Sequence, residues 1–200
     1  MKASSSPSLF RRVSRLALAL GALASATVAL GQFPAKLDDF AQSDLSSIGA
    51  PRIVIDDATV GGKSHLTHNV KDGVLTATGE IKPARGQPGF VSLVLPMAAP
   101  NEAADLSHFE GIVMRVKLTS GNLAVSANST EVVNFDYHAA PITRAADGDF
   151  HEIKIPFASM KRAWSEQTKL NPATINSISL VVAGVQPGDF AYAIDEIGFY

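Results

Sequence analysis

The chain has 200 residues, no cysteine, 17 basic and 19 acidic side chains and a formal charge of -2 at pH 7. The absence of cysteine excludes disulfides and thiolate zinc sites, and the near-neutral balance leaves no electrostatic footprint for nucleic acid. The length suits one domain behind a leader, and the low share of charged residues (18%), with 15 glycines and 11 prolines, suits a β-rich fold.

Residues 1–31 read as a signal peptide ahead of a domain over 32–200. Lys2, Arg11, Arg12 and Arg15 precede an uncharged apolar block, Leu16 to Leu30. Small residues at Ala29 and Gly31, or at Ala24 and Ala26, could precede a cleavage site. The apolar run is too short to span a bilayer comfortably, so no stable membrane span is expected once the leader is removed. A mitochondrial transit peptide is the alternative, since Ser and Arg are frequent and no acidic residue occurs before Asp38. Such a peptide spreads its basic residues along an amphipathic segment, whereas here they cluster before the apolar block. The expected location is therefore exported, periplasmic or extracellular. Arg11-Arg12 also fits a twin-arginine pair, but its flanking residues match that signal weakly.

In the mature chain, Leu37, Phe40, Leu45 and Ile48 recur at spacings of three to five, which fits a short amphipathic helix or a loop packed on the core. A short strand, Ile53 to Ile55, follows. Ser64 to Ile81 reads as a hairpin turning at Asp72-Gly73. Phe90 to Leu95 is an apolar strand stopped by Pro96. The clearest alternation is Ile112, Met114, Val116 and Leu118 facing in against Arg115 and Lys117 facing out. Ser120-Gly121-Asn122 turns the chain and Leu123 to Ala127 returns. Val133, Phe135 and Tyr137 have the spacing of an inward strand row, followed by a strand over His151 to Ile155. Phe157 to Trp164 suits a short helix. Ile178, Leu180 and Val182 mark another strand, and Gln186 to Asp189 turns into the last one.

That last stretch, FAYAIDEIGFY, alternates through Phe190, Tyr192 and Ile194, then shifts by one residue to Ile197 and Phe199. Such a shift requires a bulge at Asp195-Glu196 to keep both sets on one face. About nine short strands with no long helical pattern between them predict an all-β, antiparallel sandwich or jelly roll.

Five segments carry a resemblance. Asp57 to Ser64 (DATVGGKS) resembles the Asp-Gly-Val-Met-Gly-Gly-x-Ser signature of the complex I intermediate-associated protein 30 family, with Ala58-Thr59 in place of Gly-Val. Gly89-Phe90-Val91-Ser92, Asp105 to Ile112, Ile155-Pro156-Phe157 and Phe190 to Tyr200 are similar to further blocks of that family, in the same order. The resemblance implies a galactose-binding-domain-like jelly roll and a non-catalytic role. Mitochondrial members act as assembly chaperones for respiratory complex I, a role that an exported chain would not share directly.

The residues themselves give few sites. Gly61-Gly62-Lys63-Ser64 is no phosphate loop, because Asp57 stands where the first glycine belongs and a strand follows. His65 and His68 fall on opposite faces of a strand, and no nucleophile elbow is present. No catalytic residue, cofactor or metal is therefore assigned. Because jelly rolls of this type bring first and last strands together, Asp56 and Asp57 could join Asp195 or Glu196 around a calcium ion; the alternative is that they cap turns. Tyr137, His138 and Trp164 are the candidates for a ligand- or partner-binding surface, with core or edge packing as the alternative for the two aromatics. The expected function is a non-enzymatic exported binding module or assembly factor, whose partner is a protein or a carbohydrate. A jelly-roll carbohydrate-binding module is the alternative, and a hydrolase the second alternative.

Overall fold

The computed structural model describes residues 32–143 and 146–200; the expected signal peptide lies outside the described residues. Among the described residues, twelve strands build two antiparallel sheets. The first runs β3 (His65–Lys71), β4 (Val74–Ile81), β12 (Gly188–Phe199), β6 (Gly111–Ser120) and β9 (His151–Pro156), with β1 (Lys36–Asp38) beside the end of β12. The second runs β10 (Lys161–Arg162), β8 (His138–Pro141), β7 (Ala124–Ser129), β11 (Ile175–Gly184), β5 (Gly89–Pro96) and β2 (Ile53–Asp56). Their inner rows meet in one core, Ile112, Met114 and Val116 of β6 among them, with Val91, Leu93 and Leu95 of β5 and Ile178, Leu180 and Val182 of β11. This is a jelly-roll β-sandwich, each strand turning alternate side chains inward.

β12 carries the expected bulge. Ile194 pairs with Val116 and Glu196 with Arg115, so Asp195 has no counterpart on β6. The extra residue keeps Phe190, Tyr192 and Ile194 on one side of it, and Ile197 and Phe199 on the other, all in the core. The bulge is also where β12 changes neighbours: Ile194 is its last residue paired with β4, and Ile197 pairs with Asp38 of β1.

The β3–β4 hairpin turns at Asp72 (φ 52°) and Gly73 (φ 77°), the two left-handed residues that a tight two-residue turn requires. Two other turns do something that turn chemistry does not encode. The turn after Ser120 and the one after Gly184 each carry the chain from one sheet to the other, since β6 and β7, like β11 and β12, share no sheet.

Two sequence expectations are corrected. Val133 and Phe135 are not an inward row: they are 89% and 95% exposed, and β8 begins only at His138. Phe135 has φ 61°, which an extended strand does not accommodate. Phe157 to Trp164 is not a helix. A single 3-10 turn, Phe157–Ser159, gives way to extended Met160 and to β10, whose backbone pairs with β8. Of the two forms expected for Gln32 to Pro51, the loop is the one found: together with β1 it packs on the core through Leu37 and Phe40. Arg52 ties this loop down, bonding Asp38 at 2.7 Å and donating to the carbonyls of Gln42, Ser43 and Leu45. Both side chains of that ion pair are buried.

Candidate functional site

At one corner of the second sheet, residues 133–137 are locked onto residues 162–168. The fastening is a single carboxylate. Asp136, its side chain fully buried, accepts from Arg162 Nε (2.8 Å), from the backbone N–H groups of Ala163 and Ser165 (both 3.0 Å) and from its neighbour Tyr137 N–H (2.8 Å). Burial would raise this carboxyl, but the N–H of Tyr137, the Arg162 guanidinium and Ser165 together hold it well below the usual carboxylate range. Arg162 also donates to Asn134 Oδ1 (2.9 Å), and Asn134 Nδ2 donates to Ser165 Oγ (2.9 Å). Gln167 closes the second loop, bonding both the N–H and the carbonyl of Arg162.

This frame presents aromatic side chains. The rings of Tyr137 and Trp164 meet edge to face, with centroids 5.3 Å apart at 85°, the geometry their quadrupoles favour. Trp164 is 61% exposed, and Phe135 and Val133 stand in solvent beside the same frame. Tyr137 is half-buried; burial, reinforced by the Asp136 charge, pushes its phenol up, so it stays neutral around pH 7. A cleft of about 480 Å³ opens under the second loop, with Phe109, Phe157, Met160 and Leu170 in its wall.

Two of the three expected surface residues, Tyr137 and Trp164, thus come together although 27 positions separate them. His138 does not join them: it is buried, and its Nε2 donates to the Thr168 carbonyl at 2.9 Å, helping to hold the loop from below. Its Nδ1 is buried with no hydrogen-bond partner among the described residues. Sequence reasoning missed Phe135, Asp136 and Arg162. An aspartate between two aromatics at strand spacing was the available signal, since a strand row interrupted by a carboxylate needs a partner for it.

The carboxylates considered for calcium are engaged separately. Asp56 accepts from Ala58 N–H (2.9 Å), and Asp195 pairs with Arg115 (2.7 Å) on the first sheet. Asp57 is buried and accepts from Ser64 N–H (3.0 Å), Ser64 Oγ–H (2.6 Å) and Phe90 N–H (3.3 Å). Ser64 Oγ in turn accepts from Lys82 N–H (2.8 Å). Among the described residues no group of three His, Asp or Glu side chains could hold a metal ion. The DATVGGKS segment is therefore a structural knot that fastens the β2–β3 link to the starts of β5 and the β4–β5 loop. Gly62 belongs to it because a Cβ there would lie 2.1 Å from the Asp57 carboxyl carbon.

The two sheets, their order and the knot at one end define a galactose-binding-like jelly-roll domain. Residues 39–194 match the family model for complex I intermediate-associated protein 30 (CIA30), and the chain belongs to that family. Among solved structures it is similar to the family 11 carbohydrate-binding module of the cellulosomal cellulase Lic26A-Cel5E of Clostridium thermocellum, with TM-score 0.57 and 18% identity over 82% of this chain and 92% of that one. The module from the same organism in complex with a beta-1,3-1,4-mixed-linked tetrasaccharide gives TM-score 0.54 and 20% identity over 82% and 93%. The agarase AgWH50C gives TM-score 0.54 and 12% identity over 82% of this chain but only 26% of that one. No curated protein matches the sequence. No helix among the described residues is long and apolar enough to cross a membrane.

Proposed function

We propose that this protein is a non-catalytic binding module, exported by the leader at residues 1–31, that recognises its partner with the corner around Tyr137 and Trp164. The observation carrying this reading is the rigid display of exposed aromatics. Trp164, Phe135 and Val133 are costly to leave in water, and a buried ion pair fixes the loops that hold them there. Large apolar side chains on a braced frame lose little entropy on association, which is what a recognition surface needs. Membership of the CIA30 family supports a protein partner.

A carbohydrate partner is the second reading. It is supported by the Tyr137–Trp164 pair, whose faces suit stacking on a sugar ring, and by the likeness in fold to a module solved with a bound tetrasaccharide. The test is capture. Full chain and the Trp164→Ala and Phe135→Ala variants are used as bait against extracts of the native compartment, with melting temperature as the folding control. Loss of the captured species in both variants, with unchanged melting, supports the corner. Equal capture by all three would refute it.

A further inference from the structure

β9 is the last strand of the first sheet: β6 pairs with it on one side, and on the other side no strand does among the described residues. The register tells which backbone groups face that open side. Pro156 stands opposite Gly111, and Phe157 N–H donates to the Glu110 carbonyl at 3.0 Å. In an antiparallel ladder this phase gives the N–H and C=O groups of His151, Ile153 and Ile155 to β6. Those of Glu152 and Lys154 therefore point out of the sheet, and no backbone bond engages them among the described residues. The second sheet does not close over this edge. A cleft of about 480 Å³ lies between β9 and Ala140 and Pro141 of β8.

The side chains of the same two residues carry opposite charges. Ile153 and Ile155 turn to the core, while Glu152 and Lys154 are exposed. Neither has an ion-pair partner among the described residues; Lys154 Nζ rests over the Tyr200 ring, 4.8 Å from its centroid. Charges on an open edge ordinarily deter a pairing strand, so the partner that fits carries the same charges in reversed order. Glu-Ile-Lys laid antiparallel to itself meets that requirement. The far edge of the same sheet does not: the exposed row of β3, His65, Thr67, Asn69 and Lys71, holds a single fixed charge. β2 exposes Ile53, Val54 and Ile55, but the flanking Arg52 and Asp56 are spent on Asp38 and on Ala58 N–H.

We infer that two copies of this chain pair β9 to β9, antiparallel, about a twofold axis at Ile153. Glu152 of each copy then lies opposite Lys154 of the other, and the outward backbone groups of these two residues bond each other across the axis. The contact is isologous: one patch meets itself, and the first sheets join edge to edge into a continuous sheet. Both charge pairs lie on the outer face, where Glu152 and Lys154 already stand in a single copy. A strand of another protein would need this charge order by chance, whereas the second copy has it by symmetry. The contact uses no residue of the Tyr137 corner, so it stands or falls independently of that reading.

The experiment is sedimentation equilibrium of the full chain, from about 1 μM to 1 mM to cover the weak association expected of a small contact. The unaltered chain should show a monomer–dimer equilibrium. Glu152→Lys alone, or Lys154→Glu alone, sets like charges opposite each other at both places and should weaken the dimer about tenfold. An equimolar mixture of the two single variants should dimerise as tightly as the unaltered chain, because every Glu then meets a Lys across the axis. That rescue also shows that both variants are folded. A chain that stays monomeric over the whole range overturns the proposal. Association unchanged in both single variants overturns it too, since a different surface would then be responsible. A mixture that associates no better than its components would refute the twofold register at Ile153.

Discussion

Asp136 and Arg162 meet at 2.8 Å with both side chains almost wholly out of solvent. The pair joins two loops that would otherwise have no reason to meet, and it sets how the corner aromatics stand. Replacing Arg162 with Met should therefore strand a buried carboxylate and cost about 3–5 kcal/mol. The loss should be read in denaturant melts. A cost below about 1 kcal/mol would show that the backbone donors alone satisfy Asp136.

The same pair makes the fold sensitive to acid. Asp136 has its folded pKa held below the unfolded carboxylate value of about 3.9. Its contribution is thus fully present above that pH and is lost as pH falls below it, because the unfolded chain takes up the proton first. Melting temperature measured from pH 6 downward should fall below about pH 4, and the fall should be shallower in Asp136→Asn. Identical acid slopes in the two proteins would remove Asp136 from the account.

Tyr192 should show the opposite dependence. Its ring is in the core, its hydroxyl has no hydrogen-bond partner among the described residues, and burial raises its pKa. A raised folded value means stability is intact below the unfolded pKa of about 10 and declines as pH rises beyond it. Tyr192→Phe should raise stability at pH 7 by about 1 kcal/mol and reduce the alkaline decline. Tyr137 and Tyr200 are also raised, so part of that decline remains. Destabilisation by Tyr192→Phe would mean that the hydroxyl has a partner after all.

The knot at Asp57 predicts a steric failure. Gly62→Ala puts a methyl carbon 2.1 Å from the Asp57 carboxyl carbon, where neither side can yield without breaking the bonds to Ser64 and Phe90. The expected cost is about 2–4 kcal/mol. Gly49→Ala serves as the comparison, since a Cβ there meets nothing within 4 Å and only its φ of 81° opposes the change. Equal losses at the two positions would mean that backbone conformation, and not the Asp57 contact, sets the requirement.

Removal of Ile197 to Tyr200 tests the end of β12. The deletion takes Ile197 and Phe199 from the core and strips β1 of its partner. At about 1.5–3 kcal/mol per buried apolar side chain, the loss rivals the whole stability of a marginal fold. Thermal melting of the truncated chain within a few degrees of the intact one would show that the tail is dispensable.

The sequence alone determined what periodicity and local chemistry can encode. The β6 alternation, the Asp72-Gly73 hairpin and the Asp195 bulge were all legible, because each depends on a few adjacent residues and one parity rule. Tertiary structure decided what depends on a distant partner. Val133 and Phe135 have the spacing of a buried row, yet the capture of Asp136 by Arg162, 26 positions away, pulls that segment out of the sheet and into solvent. His138, which the sequence places beside Tyr137 as an equal, turns inward because successive side chains at a strand start take opposite faces. Asp56, Asp57, Asp195 and Glu196 suggested a cation site by type, but a carboxylate's partner is set by what the fold brings within 3 Å. Here that was the hydroxyl and the N–H of one serine for Asp57 and an arginine for Asp195.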